Sequence, residues 1–408
     1  MTLRAILRRR DTTKSLRIAY FSPLNPRRSG ISDYSEELLP ELGQLARLDV
    51  YVDDFWPTNS AIVDRFSILD DRSFDAARAR NSYDLAVYQI GNSPLHASIF
   101  RTLERIPGIT VLHDWILHHA IVEMTVAEGD PGAYVREMAY AHGRPGIDSA
   151  RAALRDGTPF PYLDFAVNRR VLDASLGVIV HSEYVRSLVR AQSPETHVTV
   201  VHPHVALQRR NVDVHRVRDE LGISPETLLI GSFGLATAEK RLGVALRAFR
   251  SVRASYPKSR YVIVGDASPS VNLAAMIREL DLTDSVTVTG YVDKVDLLRY
   301  IAAVDVGVNL RWPTMGETSA VLLRLFAAGK PTIVSNVGAF SEFPDRVCLK
   351  IAVNAAEEIT LTRHLLGLAA DPDRRRVIGQ DARSYVEEFH SPQATAAGYV
   401  QFIESILK

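Results

Sequence analysis

Residues 305–335 read DVGVNLRWPTMGETSAVLLRLFAAGKPTIVS. Residues 305–310 alternate around β-branched valines, which predicts a strand. Residues 319–328 have helical spacing, and Gly329 supplies the stop before a second buried strand at 331–335. Between the first strand and the helix runs the loop Pro313-Thr314-Met315-Gly316-Glu317-Thr318-Ser319. The first turn of a helix presents backbone N–H groups that no intrahelical carbonyl serves, together with the positive end of the dipole. It is a natural seat for an anion such as a diphosphate. An ordinary αβ crossover with a Thr cap accounts for the same letters, so the rest of the chain has to decide.

At 408 residues the chain is too long for one small core, and two domains of the doubly wound size are expected. Hydrophobic residues make up 46% and charged residues 24%, as in an ordinary globular protein. The formal net charge of zero argues against nucleic acid as a partner. Cys348 is the one cysteine, so no disulfide framework or cysteine metal site can form, which suits a reducing, cytoplasmic setting. No apolar run approaches the roughly 20 residues that span a bilayer. Residues 1–10 (MTLRAILRRR) are basic but lack the apolar region of a signal peptide. They read as a frayed basic tail. A second reading lays Leu3, Ile6 and Leu7 on an anionic membrane, a peripheral contact at its inner face.

Residues 16–21 (LRIAYF) form an expected strand that opens into Ser22-Pro23-Leu24-Asn25-Pro26-Arg27-Arg28-Ser29-Gly30 and a helix over 31–45. This is the first half of a nucleotide-fold unit, but without G-x-G-x-x-G, so the dinucleotide fingerprint is absent. Further strands are expected at 47–52, 84–90, 109–112, 176–180 and 197–201, alternating with helices as a parallel sheet requires. Ligands of open α/β sheets bind beyond the carboxyl ends of the strands. Gly30, Asn92 and His113 should therefore converge. His118 and His119 read as packing or surface residues, and His113, Asp114 and His118 match no standard zinc spacing. Residues 116–174 read as an inserted helical region broken at 129–132 and 143–146.

Residues 203–224 are polar and form the expected linker. A second series follows, with strands at 227–233, 261–264, 286–289 and 347–351 beside those of the opening stretch. Helices are expected at 240–253, 292–303, 372–389 and 392–407. The two halves share one plan, an α/β fold of two facing Rossmann-like domains with parallel sheets.

In order and spacing the chain resembles the retaining glycosyltransferases of family 4, which have the GT-B architecture. The residues that carry the resemblance are the loop at 23–30, His113, Gly234 through Lys240, Val264-Gly265-Asp266, Val288-Thr289-Gly290-Tyr291, the strand at 305–310, and Gly329-Lys330-Pro331. The resemblance implies an acceptor-side domain over 1–208, a nucleotide-sugar domain over 209–389, and a final helix at 390–408 crossing back to the first domain. It implies sugar transfer from a UDP- or GDP-linked sugar to a hydroxyl of a glycan, glycolipid or lipid-linked acceptor, with retention. No cofactor or metal is implied beyond the nucleotide sugar as co-substrate. His113 and Glu317 stand at the reacting sugar. Gly30, Gly234, Lys240, Arg241, Gly316, Thr318, Ser319 and Arg324 form the donor site, with the N–H groups of Thr318 and Ser319 on the diphosphate. Asn92 and Asp114 lie on the acceptor side.

Two departures from the family pattern stand out. The family's Glu-x7-Glu pair falls on Gly316 and Arg324, with Glu317 one residue past the first position. Arg324 cannot replace a carboxylate that accepts from ribose hydroxyls, because guanidinium only donates. The family's Gly-Arg before the phosphate lysine appears as Gly234-Leu235. Two readings of Arg324 stay open: it faces the nucleotide and takes over part of the missing arginine's role, or it snorkels from an apolar helix and pairs elsewhere. The alternatives for the whole chain are another GT-B nucleotide-sugar enzyme, such as an epimerase, and a catalytically silent nucleotide-sugar binder.

Overall fold

The computed structural model describes residues 15–207 and 214–408. The basic tract at 1–10, with its membrane reading, lies outside the described residues. The chain divides into two compact units. Among the described residues, the first takes 15–204, Met315–Thr318 and Pro392–Lys408, and the second takes 205–207, 214–314 and Ser319–Ser391.

The first unit is built on seven parallel strands: β1 (Arg17–Phe21), β2 (Arg47–Val52), β3 (Ser67–Asp70), β4 (Leu85–Ile90), β5 (Ile109–Leu112), β6 (Gly177–Val180) and β7 (Val198–Val200). Their order is β3-β2-β1-β4-β5-β6-β7, so the winding reverses between β1 and β4. Central strands buried on both faces read as continuous apolar runs, as LAVYQI of β4 does. The sequence reading missed β3. Its SILD is short, sits at the sheet edge and is only partly buried, so the burial signal that betrays a strand is weak there. The expected helical region resolves into helices His118–Thr125, Pro131–Asp156 and Arg169–Ala174. The long middle helix kinks at Gly143, whose φ of +59° no helix interior accepts.

The C-terminal helix Pro392–Leu407 packs within the first unit. Ala396, Tyr399 and Ile403 are buried in one cluster with Leu38, Leu39 and Leu42 of helix Gly30–Leu45. The Tyr34 and Tyr399 hydroxyls hydrogen-bond at 2.8 Å across that seam.

The second unit holds six parallel strands: β8 (Leu229–Phe233), β9 (Arg260–Val264), β10 (Val286–Val288), β11 (Val306–Asn309), β12 (Thr332–Ser335) and β13 (Leu349–Ile351), in the order β10-β9-β8-β11-β12-β13. The winding reverses between β8 and β11. At the amino ends of these central strands, Asp305 fixes the start of β11, its Oδ2 accepting from Leu229 N at 2.8 Å and Arg218 Nη2 at 2.9 Å. No described helix is long and apolar enough to cross a membrane.

Candidate functional site

In the second unit, the chain leaves β8 through Gly234 (φ +81°) and leaves β9 through Gly265 (φ +139°). A Cβ on Gly265 would lie 2.6 Å from Gly234 O, so the two strand ends approach as only glycine allows. Gly234 N donates to Val264 O and Ala236 N to Asp266 O, each at 2.7 Å. Lys240 folds back over this turn. Its Nζ donates to Phe233 O at 2.7 Å, and a Cβ on Gly234 would stand 2.7 Å from that same nitrogen.

Lys240 belongs to a short 3-10 turn, Ala238–Lys240, and not to the helix expected at 240–253, which begins at Leu242. The break is Arg241, whose left-handed φ of +52° cannot sit inside a right-handed helix. Arg241, expected on the diphosphate, is paired with Glu357. Its Nε donates to Glu357 Oε1 at 2.7 Å and Oε2 at 3.0 Å, and its Nη2 donates to Oε2 as well. Glu357 is 3% exposed, and pulling the guanidinium away would strand a buried carboxylate at a cost of about 3–5 kcal/mol.

The helix of the opening stretch spans Ala320–Ala327, with Ser319 as its non-helical cap (φ −95°, ψ 105°). Ser319 Oγ accepts from Leu322 N at 3.1 Å and from the buried Asn309 Nδ2 at 3.0 Å. The cap lies one residue later than a Thr cap would. The first-turn N–H groups are therefore those of Ser319, Ala320 and Val321, and Thr318 precedes the cap. Arg324 lies in the last turn of the helix, where the dipole favours a cation, and is 6% exposed. A snorkelling side chain keeps its head in water, and this one does not.

Gly316, Glu317 and Thr318 group with the first unit. Met315 O accepts from Trp115 N at 2.8 Å and Ile116 N at 3.1 Å. Gly316 (φ +80°) passes so close to Trp115 that a Cβ would lie 2.4 Å from the Trp115 Cβ. Glycine is needed here for backbone approach. Glu317 Oε2 accepts from Met315 N at 2.7 Å and closes the turn.

The strand ends of the first sheet gather the remaining candidates. Asn92 N donates to Asp114 Oδ2 at 2.8 Å, and Asn92 Oδ1 accepts from Ala120 N at 2.9 Å, so the pair laces the loops after β4 and β5. Gly30 opens helix Gly30–Leu45 behind the Ser29 cap, with nothing within 4 Å of where a Cβ would stand. His113 Nε2 donates to Gln89 Oε1 at 2.7 Å, and Gln89 is oriented in turn by the Tyr399 hydroxyl, 3.5 Å from its Nε2. The second ring nitrogen, Nδ1, is left to accept. Burial first, then the neighbouring His181, His96 and His204, hold His113 well below the ordinary imidazole range, so the ring is neutral. Tyr34 and His181 stand over it, each with ring centroid 4.9 Å away. Sequence reasoning missed Gln89, Tyr34 and Tyr399. The one available signal was Gln89, a polar residue in the apolar run LAVYQI.

Residues 224–371 match the family described as glycosyl transferases group 1. The matched segment lies within the second unit. Among curated relatives, an alpha-monoglucosyldiacylglycerol synthase of Acholeplasma laidlawii is 25% identical over 182 residues, 44% of this chain and 45% of that protein. A D-inositol 3-phosphate glycosyltransferase of Mycobacterium sp. (strain JLS) is 28% identical over 197 residues, 46% and 43% of the two chains. The matched region thus covers less than half the length of these relatives. Sucrose-phosphate synthase from Thermosynechococcus elongatus superposes with a TM-score of 0.65 at 16% identity, covering 96% of this chain and 99% of that one. Anabaena HepE, solved with UDP-glucose, gives 0.66 at 13% identity, covering 96% and 100%. The fold is GT-B, and the family match falls in its second Rossmann-like unit.

Proposed function

We propose that the chain is a retaining glycosyltransferase that moves a sugar from a UDP- or GDP-linked donor to a hydroxyl of a glycan, glycolipid or lipid-linked acceptor. The observation that carries this reading is the pairing of Lys240, folded over the Gly234 turn at the end of β8, with the Ser319-capped helix that follows β11. Both lie beyond the carboxyl ends of the two strands that flank the reversal in the second sheet, where such sheets bind ligands.

As the glycosidic bond breaks, negative charge builds on the leaving diphosphate, and preorganised donors stabilise it. In this reading Lys240 and the N–H groups of Ala320 and Val321 hold the diphosphate. Glu317, whose Oε2 accepts from Met315 N, accepts from donor sugar hydroxyls. His113 accepts from a sugar hydroxyl through Nδ1. The acceptor proton passes to the leaving phosphate on the same face, so the reading calls for neither a protein base nor a metal. It also allows the protein to work at the inner face of a membrane. A second reading, donor binding without turnover, draws on Leu235 in place of the family's arginine and on the capture of Arg241 by Glu357.

The test is hydrolysis and transfer across UDP- and GDP-sugars, comparing wild type with Lys240→Ala and Glu317→Ala. Full activity in both variants overturns the site, and binding without turnover in the wild type selects the second reading. A product with no acceptor-derived part selects an epimerase.

A further inference from the structure

A cavity of about 210 Å³ opens in the first unit beyond the carboxyl ends of β1, β2, β3 and β4. Its volume is well above the ~10–15 Å³ that one water needs by the same measure. Tyr51, Phe55 and Ile99 supply apolar walls, and Asp53, Asp71 and Ser98 supply polar ones. Asp71 is the unusual member. It is 3% exposed, and its Oδ2 has no hydrogen-bond partner among the described residues. Arg72, the cation beside it in the chain, is engaged with Asp54 and Asp70 at 3.1 and 3.0 Å. Burial, first of all, pushes the Asp71 carboxyl up, and the like charges of Asp53 and Asp70 push it the same way.

A carboxylate oxygen buried without a donor is costly, by about 1–3 kcal/mol or more, and an acceptor of that kind is satisfied by a ligand that donates. The charges lining the cavity narrow the class. Asp53 and Asp71 oppose an anion. Arg27, which also lines the cavity with its guanidinium 5.4 Å from the centre of the Phe55 ring, opposes a cation. What remains is a neutral molecule with several hydroxyls and an apolar C–H face to lie against Tyr51 and Phe55. We infer that this cavity is a binding site for a neutral polyol or sugar ring, with Asp71 and Ser98 taking its hydroxyls. Binding stands apart from the sugar-transfer reading. Use of the cavity by the acceptor rests on that reading, so the two are measured separately.

Ligand-observed NMR and calorimetric titration of the full chain test it, with glycerol, myo-inositol and glucose as neutral polyols, ethanolamine as the cation and inorganic phosphate as the anion. The expected result is binding of a polyol by the wild type, weakened at least tenfold by Asp71→Asn and by Leu95→Trp, which fills the cavity. Both variants should keep a cooperative melt. No polyol binding by the wild type, undiminished binding in both variants, or preference for ethanolamine or phosphate overturns the inference. UDP-sugar hydrolysis is assayed in parallel. Its absence alongside Asp71-dependent polyol binding counts against the transfer reading and leaves the cavity assignment supported.

Discussion

Ser319→Ala removes one oxygen that serves two donors. The cap to Leu322 N at 3.1 Å is worth about 1 kcal/mol. The bond from Asn309 Nδ2 at 3.0 Å matters more, because Asn309 is 6% exposed, and leaving its amide without an acceptor costs about 1–3 kcal/mol. The sum is about 2–4 kcal/mol, which in a domain of this size lowers the melting temperature by about 4–16 °C. Thermal unfolding followed by circular dichroism reads this directly. Ser319→Asp separates stability from binding. A carboxylate at the cap keeps an acceptor for Leu322 N and favours the helix dipole, so the melt stays near wild type. The same charge repels a diphosphate seated on the first turn, so UDP affinity by calorimetry falls at least tenfold. A Ser319→Ala melt within about 1 °C of wild type would refute the energetic reasoning. Undiminished UDP binding by Ser319→Asp would refute the seat itself.

Gly234→Ala must strain a φ of +81° and push Lys240 Nζ from its place, so it costs about 1–2 kcal/mol in the melt and weakens UDP in calorimetry; equal UDP affinity argues against Lys240 as a phosphate ligand. Arg324→Met keeps the volume and removes the charge. If the arginine serves the nucleotide, donor affinity falls, and unchanged donor affinity and turnover exclude that role. His96 and His181 are both buried with pKa values lowered from 6.5 to about 4, first by desolvation. The unfolded chain takes up protons below 6.5 that the folded one refuses until about 4. Stability is therefore full above pH 6.5 and falls through that window, by about 3 kcal/mol for each histidine once both states are protonated. Melting temperature against pH measures it, and a flat profile from 6.5 to 4.5 contradicts the burial argument. His113, held lower still than an ordinary imidazole, should add no inflection to the activity profile near pH 6.5.

Alternation and β-branching disclosed every strand of the second sheet, most plainly β8, β9, β11 and β12, which are fully or almost fully buried runs. They missed β3, an edge strand whose SILD carries little burial. The candidate site was legible by position more than by contact. Gly234 and Lys240 could be placed at a strand end from order and spacing alone. That Arg241 would be drawn to Glu357 could not, since the partners are far apart in the chain and the left-handed turn at Arg241 has no sequence signature. The Gln89 clamp on His113 escaped for the same reason: its orientation depends on Tyr399, from the far end of the chain.

That last dependence has a consequence for synthesis. Domains ordinarily fold as they leave the ribosome, the N-terminal one first. Here residues 1–204 emerge without the helix Pro392–Leu407 that covers Leu38, Leu39 and Leu42. Making residues 205–391 takes about 10–40 s at ~5–20 residues per second. Throughout that interval the nascent first unit carries an open apolar seam, a surface that a chaperone can hold. A transcript cut short anywhere before Tyr399 leaves Gln89 without its anchor and the seam bare, so its product is marked for disposal by its own exposed surface.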